Sequence, residues 1–318
     1  MNKRRFNLNS NIKNICFINN FNNESFIESC LKSVFNQTRP FDEIIIVDDG
    51  STDRSLEVIS HFLIDHKNLQ ILQKENQGQL STFNEALLLI PDKAQIFLLD
   101  GDDLYPRDYL EATLKAIGRS QWDFAFCDRE GFEGEQYAPK SAMLNELPSY
   151  YFYETSALVR SRECWIGNAT SCISLSSELF KKIFPYPIGR MKKYWADDHL
   201  IYISSVLGAE KIYLPSVRIG WRNHLNNITK LPYSEDDIKS RHLAIAKAIN
   251  WYCDKYCIAR YPGILEYFKE YKMLGPHWQK QLDLPNQYRM LNRLLRDLAK
   301  QFYKNHLSAV RKIFIKDL

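Results

Sequence analysis

Two acidic clusters in the chain have side chains that can do chemistry. The first is Val47-Asp48-Asp49-Gly50-Ser51-Thr52-Asp53 and the second Leu99-Asp100-Gly101-Asp102-Asp103. Each directly follows a short apolar run, residues 43–47 and 95–99, that reads as a buried strand. Carboxylates crowded at a strand end repel one another and contribute little to folding. Their usual justification is a divalent cation, which takes oxygen ligands and can bridge a diphosphate. The spacing Asp100-x-Asp102 lets two carboxylates share one ion or its water shell. The plainer reading makes Asp48 to Ser51 a turn capping the next helix, and Asp-Gly-Asp-Asp a solvated turn. The pair of clusters weighs against it, because ligands of open α/β sheets bind just beyond the carboxyl ends of the strands.

The elements that must position these residues follow from hydrophobic periodicity. Residues 14–18, 43–47, 69–72, 95–99 and 122–127 read as strands. Between them lie helical patterns. Ile27, Cys30, Leu31, Val34 and Phe35 share one face behind a capping box, Ser25-x-x-Glu28. Residues 56–63 and 81–90 read as helices, and Pro106 opens another that runs to residue 117. Alternating strands and helices imply a largely parallel, three-layer α/β sheet. After residue 130 the pattern turns irregular and aromatic-rich, with short strands near 170–175 and 211–214, and from 235 to 318 it is mostly helical. Leu291, Leu295, Leu298 and Phe302 form an apolar stripe there, flanked by Arg289, Arg293, Arg296 and Lys300.

Bulk properties narrow the function classes. The 318 residues are enough for one large domain or two modest ones, with a sizeable buried core. A net charge of +4 is too small to indicate a dedicated nucleic-acid binder. Residues 281–318 carry eight Lys/Arg against three Asp/Glu, leaving the rest of the chain near −1. This basic, amphipathic end fits a peripheral contact with an anionic membrane surface, or a solvated helix face. The seven cysteines form no C-x-x-C pair and several sit in apolar runs, as expected of reduced thiols in a cytoplasmic protein. The first residues are polar and basic without an apolar signal core, and no stretch of 18 apolar residues occurs.

In order along the chain, several segments resemble the family-2 glycosyltransferases of GT-A fold. These are Asn19-Asn20-Phe21-Asn22, Gln37-Thr38, the run EIIIVDDGSTDRS over residues 43–55, Asn76-x-Gly78 with Asn84, and FLLDGDD over residues 97–103. The resemblance is strong over residues 13–130 and weaker to about 230. It implies a GT-A domain over 1–230, with a nucleotide-sugar-binding half (13–130) and an acceptor half (131–230), followed by a helical extension over 231–318. It implies that Asn19, Phe21 and Asp49 line the base pocket, that Asp102 coordinates Mn²⁺ or Mg²⁺, and that Asp100 holds the ribose or a metal water. The family's usual Pro-x-Tyr-Asn is replaced here by Asn19-Asn20-Phe21-Asn22, so uracil is only the default base.

The second half carries weaker echoes. Inverting members of the family place an acidic pair before a helix, and Asp197-Asp198 fits. The resemblance makes Asp198 the general base that deprotonates the acceptor hydroxyl, with Asp197 second and His199 behind both. Both aspartates also suit the start of a helix, where the dipole favours negative charge. Trp221-Arg222-Asn223-His224 resembles the family's Tyr-Arg-x-His segment, which puts Arg222 on the diphosphate and makes His224 a third metal ligand or a phosphate contact. Trp165 or a tyrosine of 150–153 can stack on an acceptor sugar, though such aromatics more often fill a core. The implied activity is inverting transfer from a nucleotide-diphosphate sugar, by default UDP-linked, to a saccharide or lipid-linked saccharide of a surface polysaccharide. A nucleotidyltransferase would show a Gly-rich basic loop after the first strand, and a hydride-transfer enzyme G-x-G-x-x-G. Neither is present. A non-enzymatic sugar- or nucleotide-binding protein on the same fold is the remaining alternative.

Overall fold

A computed structural model describes residues 12–119, 121–134, 141–143, 147–187, 195–224 and 234–281. The basic segment 282–318, including the Leu291 stripe, lies outside the described residues. The chain divides into two units, residues 1–262 and 263–318.

In the first unit, strands β1 (Lys13–Asn20), β2 (Glu43–Asp48), β3 (Leu69–Gln73) and β4 (Ala94–Asp100) alternate with helices α1 (Ile27–Phe35), α2 (Ser55–Asp65) and α3 (Gln79–Ala86). Then follow α4 (Tyr109–Ile117), β5 (Phe124–Glu133), β6 (Tyr150–Phe152), α5 (Ser156–Arg162), a 3₁₀ turn (Thr170–Cys172), β7 (Ile173–Ser176), α6 (Ser177–Ile183), α7 (Ala196–Val206), β8 (Lys211–Asn223) and α8 (Glu235–Lys255). One mixed sheet of eight strands results, in the order β3-β2-β1-β4-β7-β5-β8-β6. Strands β1 to β4 pair in parallel, β7 runs antiparallel between β4 and β5, and β8 returns parallel to β5. This is the GT-A type of α/β architecture.

The inner parallel strands β1, β2 and β4 are buried on both faces, so they read as apolar runs rather than alternating ones. Cys16, Ile18, Ile44, Ile46, Phe97 and Leu99 point into one core, with Tyr109 and Trp122 edge-on to Phe97. Phe17 points the other way and packs on Phe83, which stacks on Phe184. Burying each such ring contributes roughly 1.5–3 kcal/mol.

Two helix starts differ from expectation. The Ser25–Glu28 capping box does not form. Helix α1 opens at Ile27 behind an uncapped Phe26, and the Asn23 carbonyl accepts from the Phe26 and Ile27 N–H groups at 2.9 and 2.8 Å. The residues before the helix are held by a neighbouring turn instead: the Glu24 N–H donates to Asp53 and its carboxylate accepts from the Arg54 N–H. Glu28 pairs with Lys32 one turn on. Helix α4 starts at Tyr109, not Pro106, because the Pro106 carbonyl accepts from the Tyr109 N–H and from Gln37 Nε2. A true reciprocal capping box, Ser234 with Asp237, opens α8.

Helix α8 belongs to the first unit, although the sequence reading begins a separate extension at 231. It is tied to α7 by Arg241 on Asp198 and by Tyr252 Oη beside His199 Nε2 at 3.0 Å. The second unit begins with α9 (Ile264–Met273) and α10 (Pro276–Gln281), joined where Gln279 Nε2 donates to the Tyr271 and Leu274 carbonyls. The cysteines are unbridged, and six of the seven are buried. No helix among the described residues is long and apolar enough to cross a membrane.

Candidate active site

The carboxyl ends of β1, β2 and β4 lie abreast, with Asn20 beside Asp48 and Asn19 beside Asp100. The first acidic cluster divides its labour. Asp48 is fully buried and builds the turn, accepting from the Ser51 N–H, the Ser51 hydroxyl and Asn20 Nδ2 at 2.7–2.8 Å. The turn reading therefore holds for Asp48. Asp49 faces the next loop, where Oδ1 accepts from the Gln77 N–H (3.0 Å) and from Lys74, and Oδ2 from the Gly78 N–H (2.8 Å). Gly50 makes the turn possible. Its φ is +74°, and a Cβ there would lie 2.8 Å from the Asn76 backbone nitrogen.

The second cluster is a loop fastened from below. Asp103 is buried, with Oδ2 accepting from the Ser171 hydroxyl (2.6 Å) and Oδ1 from the Arg222 N–H (2.9 Å). Ser171 Oγ in turn accepts the Asp100 N–H at 3.0 Å. A Cβ at Gly101 would lie 2.7 Å from Asn20 Oδ1 and 2.9 Å from Asn23 Nδ2, so those side chains would have to shift. So anchored, Asp100, Asp102 and Asp103 each place a ligand oxygen within 4.8 Å of the others. Burial, and then the neighbouring Asp102 charge, push the carboxyls of Asp100 and Asp103 well above the usual range. That repulsion is what a bound cation would relieve, and an all-oxygen donor set suits a hard divalent ion. Asp103 is committed to its hydrogen bonds, whereas Asp100 and Asp102 are partly exposed.

The residues singled out by sequence end up in different places. His224 Nε2 lies 2.8 Å from Asp102 Oδ2, so these two come together. Asn19 Oδ1 accepts from the Thr82 hydroxyl beside Asp100. Phe21 is 43% exposed, on the loop after β1.

Arg222 is only 1% exposed, beneath the acidic loop. Its Nε donates to the Asp102 carbonyl (2.7 Å), Nη2 to the Ser29 hydroxyl (2.8 Å) and Nη1 to the Gly134 carbonyl. The guanidinium is sandwiched by the rings of Phe26 and Phe132 at 4.9 and 4.7 Å.

Asp198 has no exposed surface, and both its oxygens accept from Arg241. Asp197, beside it, is partly exposed, with Oδ1 accepting the Asp198 N–H at 2.8 Å. Burial first, and the Asp198 charge second, raise the Asp197 carboxyl to about 6. His199 is buried, with Nε2 3.0 Å from Tyr252 Oη. Trp165 is 36% exposed, with its indole N–H 3.2 Å from Asp198 Oδ1.

Sequence reasoning missed Gln79, Ser171 and Arg241. Gln79 Nε2 donates to Asp100 Oδ1 at 2.6 Å. Its position directly after the flagged Asn76-x-Gly78 was the available signal. Ser171 and Arg241 carry no local signal, since their partners lie 68 and 43 residues away.

Comparison with known proteins decides what this frame is. The sequence model of the family described as Glycosyl transferase family 2 matches residues 15–184, more than half of the chain. The chain belongs to glycosyl transferase family 2. It is 28% identical over 230 residues to an uncharacterized glycosyltransferase of Nostoc sp., covering 70% of each chain. It is 29% identical over 217 residues to the glycosyltransferase GlyA of Streptococcus pneumoniae, covering 63% of this chain and 31% of GlyA. Among solved structures, a fragment of TarS from S. aureus in complex with UDP-GlcNAc aligns with a TM-score of 0.56 at 21% identity, over 74% of this chain and 66% of that one. A mannosyltransferase of Pyrobaculum calidifontis in complex with GDP-Man and Mn²⁺ aligns with a TM-score of 0.50 at 16% identity, over 86% and 84%. The chain thus spans about two thirds of the TarS fragment and under a third of GlyA. At such identities the structural likeness speaks for the fold. The family and its glycosyltransferase relatives make this member of family 2 a glycosyltransferase.

Proposed function

We propose that the protein transfers a sugar from a nucleoside-diphosphate donor, by default a UDP-sugar, to a saccharide or lipid-linked saccharide with inversion at the anomeric carbon. The observation that carries this reading is the meeting of Asp100, Asp102 and Asp103 within 4.8 Å at the end of β4, beside the ends of β1 and β2. Asn19, Phe21 and Asp49 line the nucleoside pocket, and Asp49 accepts a base N–H. Asp102 and Asp100, with His224, hold Mn²⁺ or Mg²⁺, which supplies positive charge to the departing diphosphate. Gln79 holds Asp100 in orientation. Arg222 serves the diphosphate only indirectly, by fixing the loop that carries Asp102. The acidic pair Asp197-Asp198 at the start of α7 provides the base for the acceptor hydroxyl, and Trp165 offers the acceptor ring a stacking face.

Named neighbours bind UDP-GlcNAc and GDP-Man, which supports a nucleotide-sugar donor of this class. A relative named for teichuronic acid biosynthesis, 33% identical over 110 residues, supports a surface-polysaccharide acceptor. Work at the cytoplasmic face of the membrane, through the basic residues 281–318, fits such an acceptor. Equal binding of the protein to neutral and anionic vesicles would remove the membrane contact.

Calorimetry with UDP, GDP and dTDP, with and without Mn²⁺, on wild type and Asp102→Ala tests the donor site. The expected result is metal-dependent binding of one diphosphate, lost in the variant. No binding of any of the three would overturn the reading.

A further inference from the structure

The second unit, residues 263–318, differs in charge from the rest of the chain. It holds eleven Lys/Arg against five Asp/Glu, a net of +6 where the whole chain nets +4. Its first helix, α9, has two unlike faces. Tyr267, Glu270, Tyr271 and Leu274 follow one another at spacings of three, one and three, which puts them on one side, and all four are buried. Leu265, Lys269, Lys272 and Met273 share the opposite side, and all four are exposed. Leu265 is 80% and Met273 47% accessible.

A single exposed Leu or Met is ordinary, because more than half of a folded surface is apolar. Here two apolar side chains share a stripe with two ammonium groups, and the acidic side chain at its border is Glu266. Such a stripe suits the boundary of an anionic bilayer. The apolar side chains enter the acyl edge, while each lysine lays its stem along them and keeps its ammonium at the lipid phosphates. The net charge of the unit has the sign that attracts such a surface. A second copy of the chain fits less well. Lys269 sits mid-helix, so a two-fold contact through this face would set it against its own copy, and lysine is depleted from protein interfaces.

We propose that the exposed face of α9 seats the second unit on an anionic lipid bilayer, with Leu265 and Met273 in the acyl edge and Lys269 and Lys272 on the headgroup phosphates. This contact rests on the membrane reading above, and it adds a hydrophobic anchor to the charge of residues 281–318. The two contributions differ in kind. Attraction between exposed charges and lipid phosphates is screened by salt, whereas burial of apolar side chains is not. The protein should therefore hold to the bilayer at a salt concentration that would release a purely ionic contact.

The test uses the full chain and co-sedimentation with vesicles of phosphatidylcholine alone or in equal mixture with phosphatidylglycerol. Wild type is expected to sediment with the mixed vesicles and far less with the neutral ones. Lys269→Gln with Lys272→Gln should weaken that partition by about fivefold per lysine removed. Leu265→Ser with Met273→Ser should weaken it by about tenfold, and raised salt should then release what binding is left. Leu265→Trp reads depth. Its added emission should move to shorter wavelength on mixed vesicles and be quenched by brominated acyl chains, which an ionic contact through lysines alone would not produce. Mn²⁺-dependent UDP binding should be the same in every variant, since these residues lie outside the donor site. Vesicle binding by Leu265→Ser with Met273→Ser as tight as wild type, with no quenching in Leu265→Trp, would overturn the inference and leave any membrane contact to residues 281–318. A dimer that this serine variant abolishes while vesicle binding stays unchanged would overturn it too, and assign the face to a second copy. A wild type that binds neither vesicle would remove both membrane proposals, while UDP binding by the same protein would keep the glycosyl-transfer reading standing.

Discussion

Replacing Arg222 by lysine separates a residue that holds the diphosphate from one that holds the loop. The guanidinium reaches three separate acceptors, the Asp102 carbonyl at 2.7 Å, the Ser29 hydroxyl at 2.8 Å and the Gly134 carbonyl. A lysine ammonium keeps the charge and packs between Phe26 and Phe132, but from a single nitrogen it cannot span that fork. Losing two hydrogen bonds to a charged group, at about 1.5–3 kcal/mol each, costs about 3–6 kcal/mol. For a unit of this size that corresponds to a fall in Tm on the order of 10 °C. The assay is thermal unfolding with and without UDP and Mn²⁺, combined with UDP affinity at a temperature where both proteins are folded. The expected result is a large loss of Tm in the absence of ligand. A variant that melts within a degree or two of wild type but binds UDP at least tenfold more weakly would refute the buried role and place the guanidinium on the diphosphate.

Three further outcomes follow from the same site. Gly101→Ala drives a methyl against Asn20 and Asn23. It should cost about 1–3 kcal/mol in Tm measurements and weaken Mn²⁺-dependent UDP binding, so unchanged values of both would contradict the close packing. Ser171→Ala removes the hydroxyl shared by Asp103 and the Asp100 N–H. A loss of about 1–3 kcal/mol is expected in denaturant titration, and none would mean the hydroxyl is replaceable. The Asp197 carboxyl, raised by burial and by the Asp198 charge, releases its proton near 6 in the folded chain and near its ordinary value in the unfolded one. Between those values the folded state binds more protons, so stability falls as pH rises through the window and the full penalty is present above it. Asp197→Asn should therefore melt higher than wild type near neutral pH, by up to about 3 kcal/mol, and no higher at a pH below the window. An equal difference at both would show that the carboxyl is not raised.

Much of the donor half is legible in the sequence because its signals are local. An unbroken apolar run such as residues 43–47, followed at once by Asp, Gly and Ser, encodes a both-faces-buried strand and the turn at its carboxyl end within a dozen residues. The helix starts misread were those where a local rule lost to a distant partner. Ser25 and Glu28 have capping-box spacing, yet Glu24 is bonded to Asp53 and Arg54 across the turn. Pro106 has the chemistry of a first helical residue, but its carbonyl is taken by Gln37. In the second half the important facts are non-local. Nothing near Arg222 says that Phe26 and Ser29 will enclose it, and nothing near Asp198 says that a helix 43 residues on will cover it. A motif can say which residue types meet. Which of two adjacent carboxylates is buried against an arginine depends on packing that only the folded chain supplies.

The bond between the acidic loop and the last long strand bears on how this protein comes into being. Leu104 and Gly220 exchange backbone hydrogen bonds at 3.0 and 2.9 Å, and Asp103 accepts from Arg222 119 residues away. A chain leaving the ribosome therefore carries its aspartates long before the strand that pins them has been made. The βαβ units of the first hundred residues can close early, since their contacts are short in sequence, whereas the loop closure to β8 must come late. The acidic loop would then take its final position only once β8 has been made, as a last step of folding.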